Sequence, residues 1–368
     1  MEILLSGQLL VAALIIGSIY GLVALGLNLI YGTMRLLNIA HGDLVMIGAY
    51  TGYWLFTLAA VSPVLAMLAA GAVAGLTGAA LYFGLFRRQL AGSQPIERIE
   101  ANSLLIFFGI SIVIQNLTAL AFTASPRTYQ ALDTLVRIGE VSITQSRLVA
   151  LAVCLGLSAA IVLFLRFSAL GLSIRALIQH RTASRIVGID VDRVQAFAFV
   201  LGFALAGLAG TLIGVTEQIS PFMGFPFTIV AFVVIVLGGL GNLAGGIAAG
   251  MVLGLIETYG VALTSANLRS VLIYGVFILV LVLRPEGLLQ CRRPSSGWLR
   301  RRRPWRCCWS RRSPRSCRCS AATTISASAS PCSAGSPWRR AGQSSPAWPA
   351  ISRSAMSCSP ASAAMSSS

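Results

Sequence analysis

Apolar stretches of roughly 20 residues follow one another through the first 289 positions of this chain, separated by short polar breaks. They lie near residues 8–30, 43–60, 63–86, 101–123, 147–166, 195–216, 227–240, 243–263 and 269–284. Between Val194 and Gly254 a single side chain, Glu217, is charged. Such stretches cross the roughly 30 Å hydrocarbon core of a bilayer as helices, because lipid offers unpaired backbone groups no partner. Two of the nine are short. The pattern predicts an all-α polytopic membrane helix bundle with about eight to nine transmembrane segments.

Small residues recur four apart within these stretches: Gly17 with Gly21, Gly71 with Gly75, Gly210 with Gly214, and Gly246, Gly250 and Gly254 in series. Faces of this kind let helix backbones approach closely in lipid. The cluster Gly238, Gly239, Gly241, Gly245 and Gly246 predicts a tight turn or a broken helix. Arginines near the helix ends orient the bundle. Arg87, Arg88 and Arg98, and the group Arg166, Arg175, Arg181, Arg185 and Arg193, place their segments in the cytoplasm. The connection 124–146, where Asp133 and Glu140 balance Arg127 and Arg137, is then external, as is the N-terminus, and Arg284 is inside. The opening residues carry Glu2 and no basic residue, which is the wrong start for a cleavable signal peptide.

Composition agrees with a membrane protein: 56% hydrophobic, 11% charged, mean hydropathy +0.80. The formal charge of +17 is not evenly spread. Residues 1–289 hold 14 arginines and all 11 acidic residues, whereas residues 290–368 hold 14 arginines and no acid. Two parts are therefore expected: a transmembrane body, 1–289, and a basic Arg/Ser/Pro/Cys-rich tail, 290–368, which reads as disordered or as a non-native, frameshift-like extension. Seven of the eight cysteines are in the tail, without the histidines or repeated spacing of a zinc site. The chain has no lysine, which excludes a phosphate-binding P-loop and Schiff-base chemistry. Its two histidines, His41 and His180, have no metal spacing and no nucleophile motif beside them, so no metal site, bound cofactor or covalent chemistry is expected.

The stretch Gly26 to Tyr50, GLNLIYGTMRLLNIAHGDLVMIGAY, sets Asn28, Tyr31, Arg35, Asn38, His41 and Asp43 near a membrane boundary. Asn28, Tyr31, Asn38 and His41 either line a translocation path or cap and join helices, with Arg35 and Asp43 interfacial in the second case. Gln115 and Asn116, inside the fourth span, have the same two readings, as do Glu217 and Glu257 near helix ends.

This stretch resembles the N-terminal signature of bacterial branched-chain amino acid permeases, the LivH type of ABC importer subunit. GLSIRALIQHRTASRIVGIDVDRV from Gly171, FVLGFALAGLAGTLIG from Phe199, VLGGLGNLAGGIAAGMVLG from Val236 and LRPEGLL from Leu283 agree with it. The likeness covers essentially residues 1–289 and stops before the tail. It implies the ABC importer permease fold in the bacterial inner membrane, working with a second permease of the LivM type. Two cytoplasmic ATP-binding subunits would hydrolyse the ATP, and a periplasmic amino-acid-binding protein would deliver leucine, isoleucine or valine. Membrane lipid is a further partner, and nucleic acid is not.

The segment Arg166 to Arg193 also carries Leu172, Ala176, Gln179, Ala183 and Val187 at three- or four-residue spacing, a small and apolar helix face. The resemblance makes this the ATPase coupling loop, with Arg175, Ala176, Gln179, Ala183 and Gly188 in it. It lacks the acidic residue that relatives often carry mid-loop, its run being Gln179, His180, Arg181 and Thr182. Alternatives are a permease of the same family for other amino acids, urea or short amides, and a secondary transporter driven by an ion gradient. The second would want more buried carboxylates than Glu217 and Glu257 supply.

Overall fold

In a computed structural model, residues 7–91, 96–129, 134–138 and 141–283 are described, with two short strands in the tail. Asp133, Glu140, Arg284, most of the LRPEGLL motif and nearly all of the tail lie outside the described residues. Helices form at all nine apolar stretches: α1 (Gly7–Met34), α2 (His41–Ala59), α3 (Pro63–Leu81) with its continuation α4 (Arg87–Ala91), and α5 (Ile96–Phe122). Then come α6 (Gln145–Phe167), α7 (Ala169–Gln179), α8 (Arg181–Ile186), α9 (Val191–Thr216), α10 (Gly224–Gly238), α11 (Leu243–Leu263) and α12 (Arg269–Leu283). Seven helices are long and apolar enough to cross a membrane. The other two apolar stretches are α2 and α10. The 15 residues of α10 reach only about 22 Å.

Two features depart from uniform α-helix. The connection after α5 forms an antiparallel hairpin, β1 (Leu135–Ile138) with β2 (Val141–Thr144), pairing Leu135 with Thr144 and Ile138 with Val141. Its β-branched residues suit a pleated strand, and the segment is too short and polar to span. Between α3 and α4 a π-helical turn runs from Tyr82 to Phe86.

The chain divides into two units, Met1–Cys291 and Arg292–Ser368. In the second, two-residue strands β3 (Cys308–Trp309) and β4 (Cys317–Arg318) pair. In the body, α1 packs on α9, α10 and α11, while α9 packs on α2 and α3. Glycine makes these contacts possible. A Cβ on Gly254 would lie 2.5 Å from the Gly17 Cα, and one on Gly202 would lie 2.7 Å from the Gly26 carbonyl oxygen. Any larger residue would drive the backbones apart, and lipid supplies no hydrophobic force to pull them back. Around Phe199 an aromatic cluster joins α5 and α9 to the π turn: Phe86 stacks on Phe107 at 4.6 Å, and Phe199 meets Phe203 at 4.4 Å.

Candidate translocation site and coupling surface

The signature stretch is a break in the membrane-embedded backbone. Arg35 ends α1 in the left-handed region, φ 59°, its N–H donating to the Tyr31 carbonyl at 2.8 Å. Residues 35–40 are then non-helical, yet Leu36, Asn38 and Ala40 are buried. Irregular backbone survives at such depth only where protein covers it and supplies partners. Here side chains do so: Leu37 N–H donates to Ser103 Oγ at 3.2 Å, and Thr228 Oγ1 donates to the Ile39 carbonyl at 2.8 Å. Thr228 Oγ1 also accepts from Gly42 N–H at 2.9 Å.

This segment climbs through the bundle. Gly32 lies against Ile178 of α7, so the Met34 end of α1 is the α7 end. His41 Nε2 is 3.0 Å from the Val23 carbonyl oxygen. Val23 is about 16 Å from the Met34 end of α1 and about 24 Å from the other. Helix α2 thus starts near mid-bundle. There its first turn meets the first residue of α10, where a Cβ on Gly224 would overlap Asp43 Oδ1. Two helix N-termini, each with roughly half a positive charge, converge on the Asp43 carboxylate. Gln115 Nε2, reaching over from α5, donates to Asp43 Oδ1 at 2.9 Å.

The structure therefore gathers part of the candidate set. Asn38, His41 and Gln115 surround the start of α2. Asn38 is fully buried with neither amide atom hydrogen-bonded, and His41 Nδ1 also has no partner. Asn28 lies towards the α7 end and joins helices: its Nδ2 donates to the Asn242 carbonyl and its Oδ1 accepts from Gly241 N–H, both at 2.8 Å. That pins the expected glycine turn, where Gly239 and Gly241 take positive φ. Tyr31 OH donates to Glu100 at 3.4 Å, and exposed Asn116 donates back to Ile112 of its own helix at 2.8 Å. Arg35 is exposed at the end of α1 with its guanidinium over the Tyr31 ring. Asp43 corrects the interfacial reading, for it is 1% exposed and sits at the helix junction. Its place directly after His41 and Gly42 in the signature was the signal for it.

Glu217 and Glu257 are not free carboxylates. Glu257, 2% exposed, pairs with Arg269 Nε, while Arg269 Nη2 donates to Tyr20 OH at 3.0 Å and to Glu217 at 3.4 Å. One guanidinium thus links α1, the end of α9, α11 and α12.

At the other end, α7 and α8 form a bent element with two faces. Ser168 caps α7 by accepting from Gly171 N–H at 2.9 Å, and extended His180 separates the helices. Gly171, Ile174, Leu177 and Ser184 are buried, whereas Leu172, Gln179, Ala183 and Val187 are exposed and Ala176 is partly so. Arg175 folds back, its Nη2 donating to the Arg166 carbonyl at 2.9 Å, and Gly188 turns the chain at φ 87°. Burial, with Arg185 beside it, lowers Arg181 below the usual guanidinium pKa.

Among the described residues the chain is a multi-pass helical bundle with a broken, polar centre, an arrangement found in transporters. The chain belongs to the family of branched-chain amino acid transport system permease components, whose match covers residues 9–281. It is 32% identical over 300 residues to the high-affinity branched-chain amino acid transport permease BraD of Pseudomonas aeruginosa, covering 77% of this chain and 95% of that one. LivH of Escherichia coli K12, named for the same transport, is 31% identical over 286 residues, covering 74% and 92%. LivM of the same strain is 28% identical over 306 residues, covering 75% and 69%. No solved structure matches. Membership and the seven long apolar helices make this a multi-pass inner-membrane transport protein.

Proposed function

We propose that the chain is the permease subunit of an ATP-driven importer of leucine, isoleucine and valine. It pairs with a LivM-type permease, takes substrate from a periplasmic binding protein and is driven by two cytoplasmic ATP-binding subunits. The observation that carries this reading is the two-faced α7–α8 element. Its Ile174 and Leu177 side is embedded in the bundle, while Leu172, Ala183 and Val187 are left uncovered, Val187 at 79% exposure. A short element anchored on one side and apolar on the other suits transmission of motion from a docked ATPase. The chain lacks a P-loop and binds no cofactor itself.

On this reading α2 and α10 complete the membrane domain, giving the importer fold eight or nine crossings. Residues Tyr31, Asn38, His41, Gln115 and Asn116 line or shape the path, and Asn28 holds it together. Residues 290–368 are dispensable, so their deletion leaves transport intact. Vesicles holding the four kinds of subunit test the proposal by leucine uptake. Uptake that needs internal ATP and the binding protein is expected; uptake driven by a proton or sodium gradient alone would replace it with a secondary transporter.

A further inference from the structure

Among the described residues, two acidic side chains are buried, and their surroundings differ. Glu257 pairs through Oε1 with Arg269, whose guanidinium also donates to Tyr20, while its Oε2 has no hydrogen bond. Asp43 has no basic side chain against it: Gln115 Nε2 donates to Oδ1 at 2.9 Å, and Oδ2 has no hydrogen bond. A lone carboxylate near mid-membrane is expensive unless it has a use or a counter-charge. The N-termini of α2 and α10 supply part of the counter-charge, so the carboxylate has support in ionised form. With Asp43 seated between them, these N-termini cannot receive a second anion, because like charges repel. The place is made for a cation.

An amino acid with an aliphatic side chain brings one cation to the middle of a membrane, its α-ammonium. Resting on the import function proposed above, we propose that Asp43 receives the α-ammonium of the transported amino acid as it passes between α2 and α5, with Gln115 as the positioning residue. The seam can open on that side. Gln115 is only partly buried, and just 17% of the apolar 18-residue stretch of α5 is buried, against 67% for α1 and α9. Displacing α5 frees Asp43 Oδ1 from Gln115 without separating the glycine-packed helices. The substrate's ammonium then takes the place of the Gln115 amide as a hydrogen-bond donor to the carboxylate.

The test uses the complete reconstituted complex, with leucine uptake and binding-protein-stimulated ATP hydrolysis measured on the same vesicles. Asp43→Asn preserves shape and the bond to Gln115 while removing the charge. It should lower leucine transported per ATP by about tenfold or more, with hydrolysis within about twofold of the native complex. Asp43→Glu should recover part of the loss. Unchanged uptake in Asp43→Asn would overturn the assignment.

A measurement on the native complex covers the case in which the variant fails to assemble. Isoamylamine, which keeps the ammonium and side chain of leucine without its carboxylate, should inhibit uptake. 4-Methylpentanoate, which lacks the ammonium, should not, and the reverse pattern would overturn the proposal. Failure of the import reading is distinguishable. If the native complex imports a different amino acid, the same variants are read on that solute. If it imports a neutral amide and Asp43→Asn leaves that import unchanged, both readings fall.

Discussion

The spans of α1 and α9 and those of α5 and α12 have nearly equal mean hydropathy, yet two-thirds of the apolar stretch of each of the first pair is buried and only 17% and 11% of the second pair's. Hydrophobicity therefore does not decide which helix is central. In lipid the surroundings are as apolar as the side chains, so a helix gains its inner place by close packing. Helices α1 and α9 carry glycines that meet neighbouring backbone, such as Gly17, Gly26, Gly202 and Gly210. The glycines of α5 and α12, Gly109 and Gly275, meet nothing within 4 Å. A centre packed backbone to backbone can keep register, while helices held to it by side chains are freer to shift.

The contrast can be broken first at Arg269, which fastens an outer helix to the centre. Arg269→Ala should leave Glu257 buried without its counter-charge and destabilise the protein by about 3 kcal/mol, the low end for a buried pair because the Arg269 side chain is 40% exposed, read as a lowered unfolding midpoint in detergent. Adding Glu257→Gln should recover part of that. Next come two chemically identical changes. Gly254→Leu sets a side chain against the Gly17 backbone and should cost about 2–3 kcal/mol. Gly275→Leu, with open space around it, should stay within about 0.5 kcal/mol. Similar losses from both would refute backbone proximity as the basis of the centre.

A small effect of opposite sign is expected at Tyr129, on the connection after α5, where aromatic rings replace glycine. Tyr129 packs on Phe56 at 5.1 Å, and its buried hydroxyl has no partner. Burial raises this phenol above its usual pKa of 10.0. The native state therefore holds the proton more tightly than the unfolded one. The stability this lends is present below pH 10.0 and lost as the pH rises beyond it. Tyr129→Phe should be neutral or stabilising by up to about 1 kcal/mol at pH 7 and should flatten the alkaline fall. A pH titration of the unfolding midpoint reads both.

Much of this was legible beforehand. Each apolar stretch coincides with a helix, because backbone satisfaction in lipid leaves no other local solution. The turn around Gly239 and Gly241 was signalled by residues that tolerate positive φ. The hairpin after α5 was not, since four-residue strands leave a weak pattern beside helices of more than 20 residues. The role of Asp43 was hidden for another reason. A polar residue between two apolar runs looks interfacial, and only the climb of residues 35–40 carries it inward.

What the chain alone determined is therefore local: which segments enter the membrane, where they stop, and which helix faces permit close approach. These follow from hydrocarbon length, backbone hydrogen bonding and side-chain size, all functions of neighbouring residues. Tertiary structure decided which glycine face met which, that α2 and α10 begin beside each other, and that Arg269 answers Glu257 rather than Asp43. Those outcomes depend on contacts such as Asn28 with Asn242 and Gln115 with Asp43, between residues far apart along the chain. In a membrane nearly every span is apolar enough to sit anywhere, so pairing is chosen by shape and by the few polar groups that must find one another.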